Sequence, residues 1–110
     1  FPVWSRCRGD YDAILCCASW PASRREAWRT LLHARAVENQ CYVAGVNRVG
    51  DDPSGHYAGD SLLVDFKGCT LAEAGDREQT LSAAFDADAL AAFRCKFPAW
   101  RDADDFLIRM

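Results

Sequence analysis

Two short apolar runs bracket one amphipathic stretch near the start of this 110-residue chain, and that order constrains the fold more than any other feature. Tyr11-Asp12-Ala13-Ile14-Leu15-Cys16-Cys17-Ala18 is almost continuously apolar, which predicts a strand buried on both faces. Ser19-Trp20-Pro21 stops it. Ser23, with Glu26 three residues on, has the capping-box pattern, and Ala27, Trp28, Leu31, Leu32 and Arg35 then recur at helical spacing. A helix is expected from about Ser23 to Glu38. Gln40 to Gly45 is strand-like again.

The remainder extends a mixed α/β layer. Asp51-Asp52-Pro53-Ser54-Gly55 concentrates turn formers and reads as a loop. Ser61 to Phe66 reads as a strand, Lys67-Gly68 as a tight turn, and Cys69 to Ala74 as the antiparallel partner. Gln79 to Phe85 is a further strand candidate. A helix follows from about Asp88 to Lys96, with Asp86 or Asp88 as N-cap, Leu90 and Phe93 facing inward, and Pro98 ending it. The order strand, helix, strand, hairpin, strand, helix predicts one sheet face carrying the helices and the other in need of cover. No repeat or linker divides the chain, so residues 1–110 read as one unit.

Half the residues are hydrophobic and 26% are charged, a globular balance. The net charge of -3 provides no basic footprint for nucleic acid. No apolar run approaches the roughly 20 residues that a membrane span requires. Cys16, Cys17 and Cys41 lie in apolar runs, where cysteine behaves as a small buried hydrophobe, so the reading is of reduced thiols in a cytoplasmic protein. No Cys-x-x-Cys or Cys/His spacing predicts a metal site, and His33 and His56 have no ligand partner at motif spacing.

The segments Phe1-Pro2-Val3-Trp4-Ser5-Arg6, Ala18-Ser19-Trp20-Pro21-Ala22, Ala34-Arg35-Ala36-Val37-Glu38-Asn39-Gln40, Gly45-Val46-Asn47-Arg48-Val49-Gly50, Tyr57-Ala58-Gly59-Asp60-Ser61 and Lys96-Phe97-Pro98-Ala99-Trp100 occur in an informative order. Together the chain resembles the C-terminal part of a nitrilase-superfamily carbon-nitrogen hydrolase, with the omega-amidases the nearest branch. The resemblance implies the C-terminal portion of a four-layer-type α-β-β-α sandwich that needs no cofactor and no metal. It implies hydrolysis of the terminal amide of small carboxylated substrates, such as 2-oxoglutaramate, to acid and ammonia through a Cys thioester. In the family the nucleophile stands in a Cys-Tyr-Asp-x-Arg-like segment directly before the Phe-Pro that opens this chain. The catalytic Cys, Glu and Lys are therefore expected upstream of Phe1, and a chain that starts without Met reads as an inactive fragment of a larger homo-oligomeric enzyme. The rival expectation is a non-catalytic scaffold or dimerisation module of the same fold. Within the enzyme class the alternatives are a deaminated-glutathione amidase or an N-carbamoyl hydrolase.

Ser19 and Trp20, at the end of the first strand, are the substrate-binding candidates, because ligands of open α/β sheets meet the carboxyl ends of strands. Trp20 either limits the acyl chain or plugs the strand–helix corner. Arg35, Glu38 and Asn39 fall within one helical turn and are expected to brace the site without touching substrate. Asn47 and Arg48 end the next strand and lie within reach of the same cleft. Cys7, between Arg6 and Arg8, reads as a loop thiol with some reactivity, whereas Cys16, Cys17 and Cys41 read as structural. Arg24, Arg25 and Arg29 read as a solvated helix face, with Trp28, Leu31 and Leu32 toward the core.

Overall fold

A computed structural model describes residues 2–109. After a short helix α1 (Pro2–Ser5), strand β1 (Ala13–Ala18) leads through a 3-10 turn (Ala22–Arg24) into helix α2 (Arg25–Asn39) and strand β2 (Tyr42–Asn47). β1 and β2 pair in parallel, from Ala13 opposite Tyr42 to Ala18 opposite Asn47, so α2 is the crossover of a βαβ unit. Strands β3 (Val49–Asp52) and β4 (Gly55–Ala58) form a separate two-stranded hairpin. Strand β5 (Leu62–Val64) then pairs antiparallel with β2, and β6 (Thr70–Glu73) with β5, which completes a sheet of order β1-β2-β5-β6. Helix α3 (Ala87–Lys96) and a second 3-10 turn (Ala99–Asp102) end the fold.

The main core lies between α2 and one face of the sheet: Trp28, Leu32 and Ala36 pack on Ile14, Val43, Leu62 and Val64. Their spacing on α2 is the i, i+4, i+8 stripe that the sequence displays. Gly45 allows the helix to come this close, because a Cβ there would overlap Leu32 Cδ1 and stand 3.0 Å from Trp28 Cζ2. Gln40, in the left-handed region at φ 47, closes α2 by turning its amide back to the Ala36 and Val37 carbonyls.

Successive strand residues face opposite sides. Tyr42, next to Val43, therefore points away from α2 and anchors a second cluster with Phe66, Leu90 and Phe93. Its ring stacks on Phe85 at 4.4 Å and meets Phe66 edge-on at 5.3 Å. The helices thus lie on opposite sides of β2 rather than on one face. The remainder of that second face, at Leu15 (74% exposed), Cys17 and Val46 (53% exposed), carries no described segment.

Several local expectations are corrected. β1 is buried on one side only: it forms an edge of the sheet, with Ile14 inward and Ala13, Leu15 and Cys17 exposed. The Ser23–Glu26 capping box does not form, because Pro21 starts a 3-10 turn, with the Arg24 amide on the Pro21 carbonyl at 3.0 Å, and α2 begins without a side-chain cap. Residues 51–55, read as a loop, are the closing end of the β3–β4 hairpin: Asp51 and Asp52 end β3, Gly55 opens β4, and Pro53-Ser54 makes the turn, where Asp52 Oδ1 accepts from the Ser54 and Gly55 amides at 2.8 and 3.2 Å. Residues 79–85 form no strand, since no described neighbour offers them a ladder. The 61–74 hairpin and α3 form as read, with Asp86 as the N-cap accepting from the Ala89 amide at 2.9 Å.

Candidate functional site

The carboxyl ends of β1 and β2 lie side by side, and Ser19, Trp20, Asn47 and Arg48 leave the sheet there. Ser19 is exposed. The Trp20 ring turns back into the strand–helix corner, 5.9 Å from the Trp28 ring, and its Nε1 donates to the Arg24 carbonyl at 2.7 Å while the Arg24 guanidinium lies over its face. Between β1 and α2 is a cavity of about 140 Å³ lined by Trp4, Ile14, Cys16, Ala18, Trp20, Trp28, Leu31, Leu32 and Arg35, so that Trp20 and Arg35 border the same, almost wholly apolar space. Such a wall suits apolar filling rather than a polar amide.

Asn47 is buried and joins three segments. Its Oδ1 accepts from the Trp20 amide at 2.7 Å, and its Nδ2 donates to the carbonyls of Trp20 at 3.0 Å and Gly59 at 2.9 Å. Ser61 closes the arrangement by accepting from the Asn47 amide at 2.9 Å and donating to its carbonyl at 3.3 Å. Gly59 and Asp60 both have positive φ, 73 and 54, and turn the chain sharply from β4 into β5. A side chain at 59 would collide with the Gly75 carbonyl, so the corner requires glycine. Asp60 is buried, paired bidentately by Arg25, and its carbonyl accepts from Trp28 Nε1 at 2.9 Å.

Arg35, Glu38 and Asn39 end α2 on the side of α1, at the opposite end of β2 from Asn47. Arg35 Nε lies 2.7 Å from Glu38 Oε1, a charge contact without hydrogen-bond alignment, and its buried Nε and Nη1 have no hydrogen-bond acceptor among the described residues. Asn39 accepts from the Cys7 amide at 3.0 Å and donates to the Arg35 carbonyl at 3.0 Å. Asn39, which also donates to Ser5 Oγ at 3.4 Å, thus ties α1 and the following loop to α2.

Cys7 is buried rather than poised in an open loop: its thiol donates to the Tyr11 carbonyl at 3.4 Å and faces Arg94 Nη2 at 3.7 Å. Burial pushes the Cys41 thiol up to about 12 and raises Cys16, which suits packing rather than nucleophilic work. Cys17, expected inside, is exposed. Nor are Arg24, Arg25 and Arg29 a simply solvated face: Arg25 holds Asp60, Arg29 pairs with Glu73, and Arg24 covers Trp20. His33 bridges the Arg29 carbonyl and the Thr70 hydroxyl, and His56 pairs with Asp51 across the hairpin at 2.8 Å. Among the described residues no cluster of His, Cys, Asp and Glu could hold a metal ion, and no helix is long and apolar enough to cross a membrane.

Asp60 and the threefold reach of Asn47 escaped the sequence reading. Both lie in segments whose order was noticed, yet an Asp beside Gly reads as surface turn chemistry until its cation is located in space.

Residues 10–94 match the family model described as carbon-nitrogen hydrolase. The chain is 52% identical to omega-amidase YafV of Yersinia enterocolitica, an alignment covering 98% of this chain and 43% of that protein. It is 39% identical to 2-oxoglutaramate amidase of Bacillus subtilis, covering 93% of this chain and 40% of the relative. The crystal structure of XC1258 from Xanthomonas campestris, a CN-hydrolase superfamily protein with an arsenic adduct in its active site, superposes with a TM-score of 0.92 at 45% identity, over 99% of this chain and 44% of that one. The chain thus spans about two fifths of the length of the curated relatives it matches.

Proposed function

The chain belongs to the carbon-nitrogen hydrolase family, and from that premise we propose that it is the C-terminal portion of a single amidase domain that hydrolyses the terminal amide of small carboxylated substrates, 2-oxoglutaramate among them. The observation that carries this reading is the 52% identity to an omega-amidase across nearly the whole chain. The position of Ser19 and Trp20 at the carboxyl end of β1, beside that of β2, supports assigning them as the substrate-side segment. Arg35, Glu38 and Asn39 are assigned a bracing role at the other end of the sheet, where Asn39 holds α1 and the loop after it and Arg35 pairs with Glu38 along α2.

An amide is a poor electrophile, so the chemistry needs a thiolate, a base and a fixed cation. In this proposal they are a Cys, a Glu and a Lys upstream of Phe1. The Cys gives its proton to the Glu and forms a C–S bond to the amide carbon. The C–N bond then breaks as that proton passes to the nitrogen, and ammonia leaves. Water, deprotonated by the same Glu, adds to the thioester, and the C–S bond breaks to release the acid and restore the thiol. We place the complete enzyme in the cytoplasm as a homo-oligomer, and the exposed apolar face at Leu15 and Val46 is assigned to the contact with the rest of the same domain.

The test is ammonia release from 2-oxoglutaramate by the complete product of the gene, with residues 1–110 alone as the comparison. Release by the complete protein, abolished by iodoacetamide and absent from the short chain, is the expected result. A folded complete protein that releases no ammonia from this amide or related ones sinks the reading and leaves a non-catalytic scaffold.

A further inference from the structure

Residues 6–12 carry the chain from α1 into β1 and contain no helix or strand. From the inside they are held by neutral bonds: the Cys7 amide donates to Asn39 Oδ1 at 3.0 Å, and the Tyr11 hydroxyl donates to the Ser5 carbonyl. Arg94 of α3 holds their far end, with Nη2 2.8 Å from the Tyr11 carbonyl and Nη1 2.8 Å from Asp12 Oδ1.

The near end is gripped from outside by a segment 98 positions along the chain. Arg6 donates to the Asp104 carbonyl and lies over the Phe106 ring, 4.5 Å from its centroid. Arg8 Nη2 stands 3.4 Å from the Ala103 carbonyl, 3.2 Å from that of Asp104 and 2.6 Å from Asp105 Oδ1. The two guanidiniums thus hold residues 103–106 through carbonyls, a carboxylate and a ring. Charge assistance makes such contacts stronger than neutral bonds, and their exposure makes them sensitive to salt.

Segment 103–106 leaves the 3-10 turn Ala99–Asp102 at the end of α3, and α3 lies on the opposite side of β2 from α2. α1 is tied to α2 through Asn39. The segment therefore runs around the end of the sheet, from the α3 side to the loop that follows α1.

We propose that residues 103–106 form an ionic strap across the loop after α1, and that strap and loop open as one cooperative unit with Arg6 and Arg8 as the latch. The bond from Cys7 to Asn39 sits between the two arginines, so releasing them frees the backbone on both sides of it. Local opening follows sets of residues that share contacts. α2, whose core contacts lie against the sheet, stays closed.

The experiment uses the complete protein and two probes: chymotryptic cleavage after Phe106 reports the strap, and hydrogen exchange at residues 6–11 reports the loop. Arg8→Met should speed both by about fivefold, the upper range for exposed charged contacts, and leave exchange in α2 unchanged. Raising NaCl to about 1 M, where the screening length is about 3 Å, should speed both in wild type and change the variant less. Faster cleavage with unchanged exchange at residues 6–11 overturns the proposal, because the segment is then a passive end rather than a latch. Unchanged behaviour of both probes overturns it too, as does acceleration that spreads into α2, the mark of a general loss of stability. Should Arg8→Met fail to fold, Asp105→Asn alters a side chain that is 91% exposed, with about a twofold effect expected on both probes; no effect there overturns the proposal equally. Neither probe requires catalysis, so the outcome is separate from that of the amidase reading.

Discussion

Arg25 grips the Asp60 carboxylate at both oxygens, with Nε 2.9 Å from Oδ2 and Nη2 2.7 Å from Oδ1, and the two partners differ sharply in environment: the Arg25 side chain is 50% exposed and that of Asp60 4%. The pair locks the start of α2 onto the corner between β4 and β5, the same corner that Asn47 binds through Gly59. Its asymmetry decides what each truncation does. Arg25→Met strands a carboxylate in a site almost without water, whereas Asp60→Asn leaves a half-exposed guanidinium free to resolvate. Asn also tolerates the left-handed backbone at position 60. Arg25→Met should therefore lower the urea midpoint more than Asp60→Asn; the opposite order would mean that the ion pair is not what holds this corner.

Gly45→Ala tests the closeness of α2 to the sheet. The added methyl overlaps Leu32 Cδ1 and reaches 3.0 Å from Trp28 Cζ2, and although the leucine tip can rotate, the indole is fixed by its bond to the Asp60 carbonyl. Overpacking of this kind costs about 1–3 kcal/mol. For a domain of this size that is a fall in Tm on the order of 4–20 °C. Calorimetry showing an unchanged or raised Tm would mean that the helix sits farther off the sheet than described.

α3 depends on Asp86 in two ways. Its side chain caps the helix by accepting from the Ala89 amide at 2.9 Å, and its backbone exchanges bonds with the Tyr42 hydroxyl at 3.0 and 3.2 Å. Asp86→Ala removes only the first and should cost about 1 kcal/mol. Tyr42→Phe removes only the second and leaves two backbone groups to find water. Hydrogen exchange should then quicken across Ala87–Lys96 in both variants and leave α2 as slow as before. Faster exchange in α2 would show that the two helices are not independent units on opposite sides of β2.

How much of this was legible in sequence divides along physical lines. Elements signalled by local periodicity came through: the stripe of Trp28 and Leu32 on α2, the 61–74 hairpin with its Lys67-Gly68 turn, and Asp86 as a cap. Each is decided within a few residues of chain. What failed needed knowledge of neighbours. The run from Tyr11 to Ala18 is apolar enough for two-sided burial, yet among the described residues β1 has a partner strand on only one edge and a helix on only one face. Residues 79–85 have strand-like composition and no ladder to join. At the site, the end of β1 was recognisable from strand order, so Ser19 and Trp20 could be singled out. The Asn47 bridge to Gly59 and the Arg25–Asp60 pair span 12 and 35 positions, distances over which single-sequence patterns carry no signal.

Cys41 provides a prediction in pH. Burial favours its neutral thiol, and the nearby Cys7 adds to that, lifting the ionisation from 9.0 to about 12. Below pH 9 the thiol is protonated in both folded and unfolded chains, so its full contribution to stability is present. As pH rises from about 9 toward 12, the unfolded chain ionises while the folded one resists, and stability falls across that window. Tyr11, also raised by burial above its ordinary 10.0, titrates in an overlapping range and pulls in the same direction. Urea midpoints should therefore decline from pH 9 to pH 11 in the wild-type chain, decline less in Cys41→Ala, and least in Cys41→Ala with Tyr11→Phe. The slopes are compared rather than the midpoints, because each variant also loses packing or a hydrogen bond that shifts its curve without tilting it. Identical slopes in all three would show that neither group is shielded from water in the folded protein.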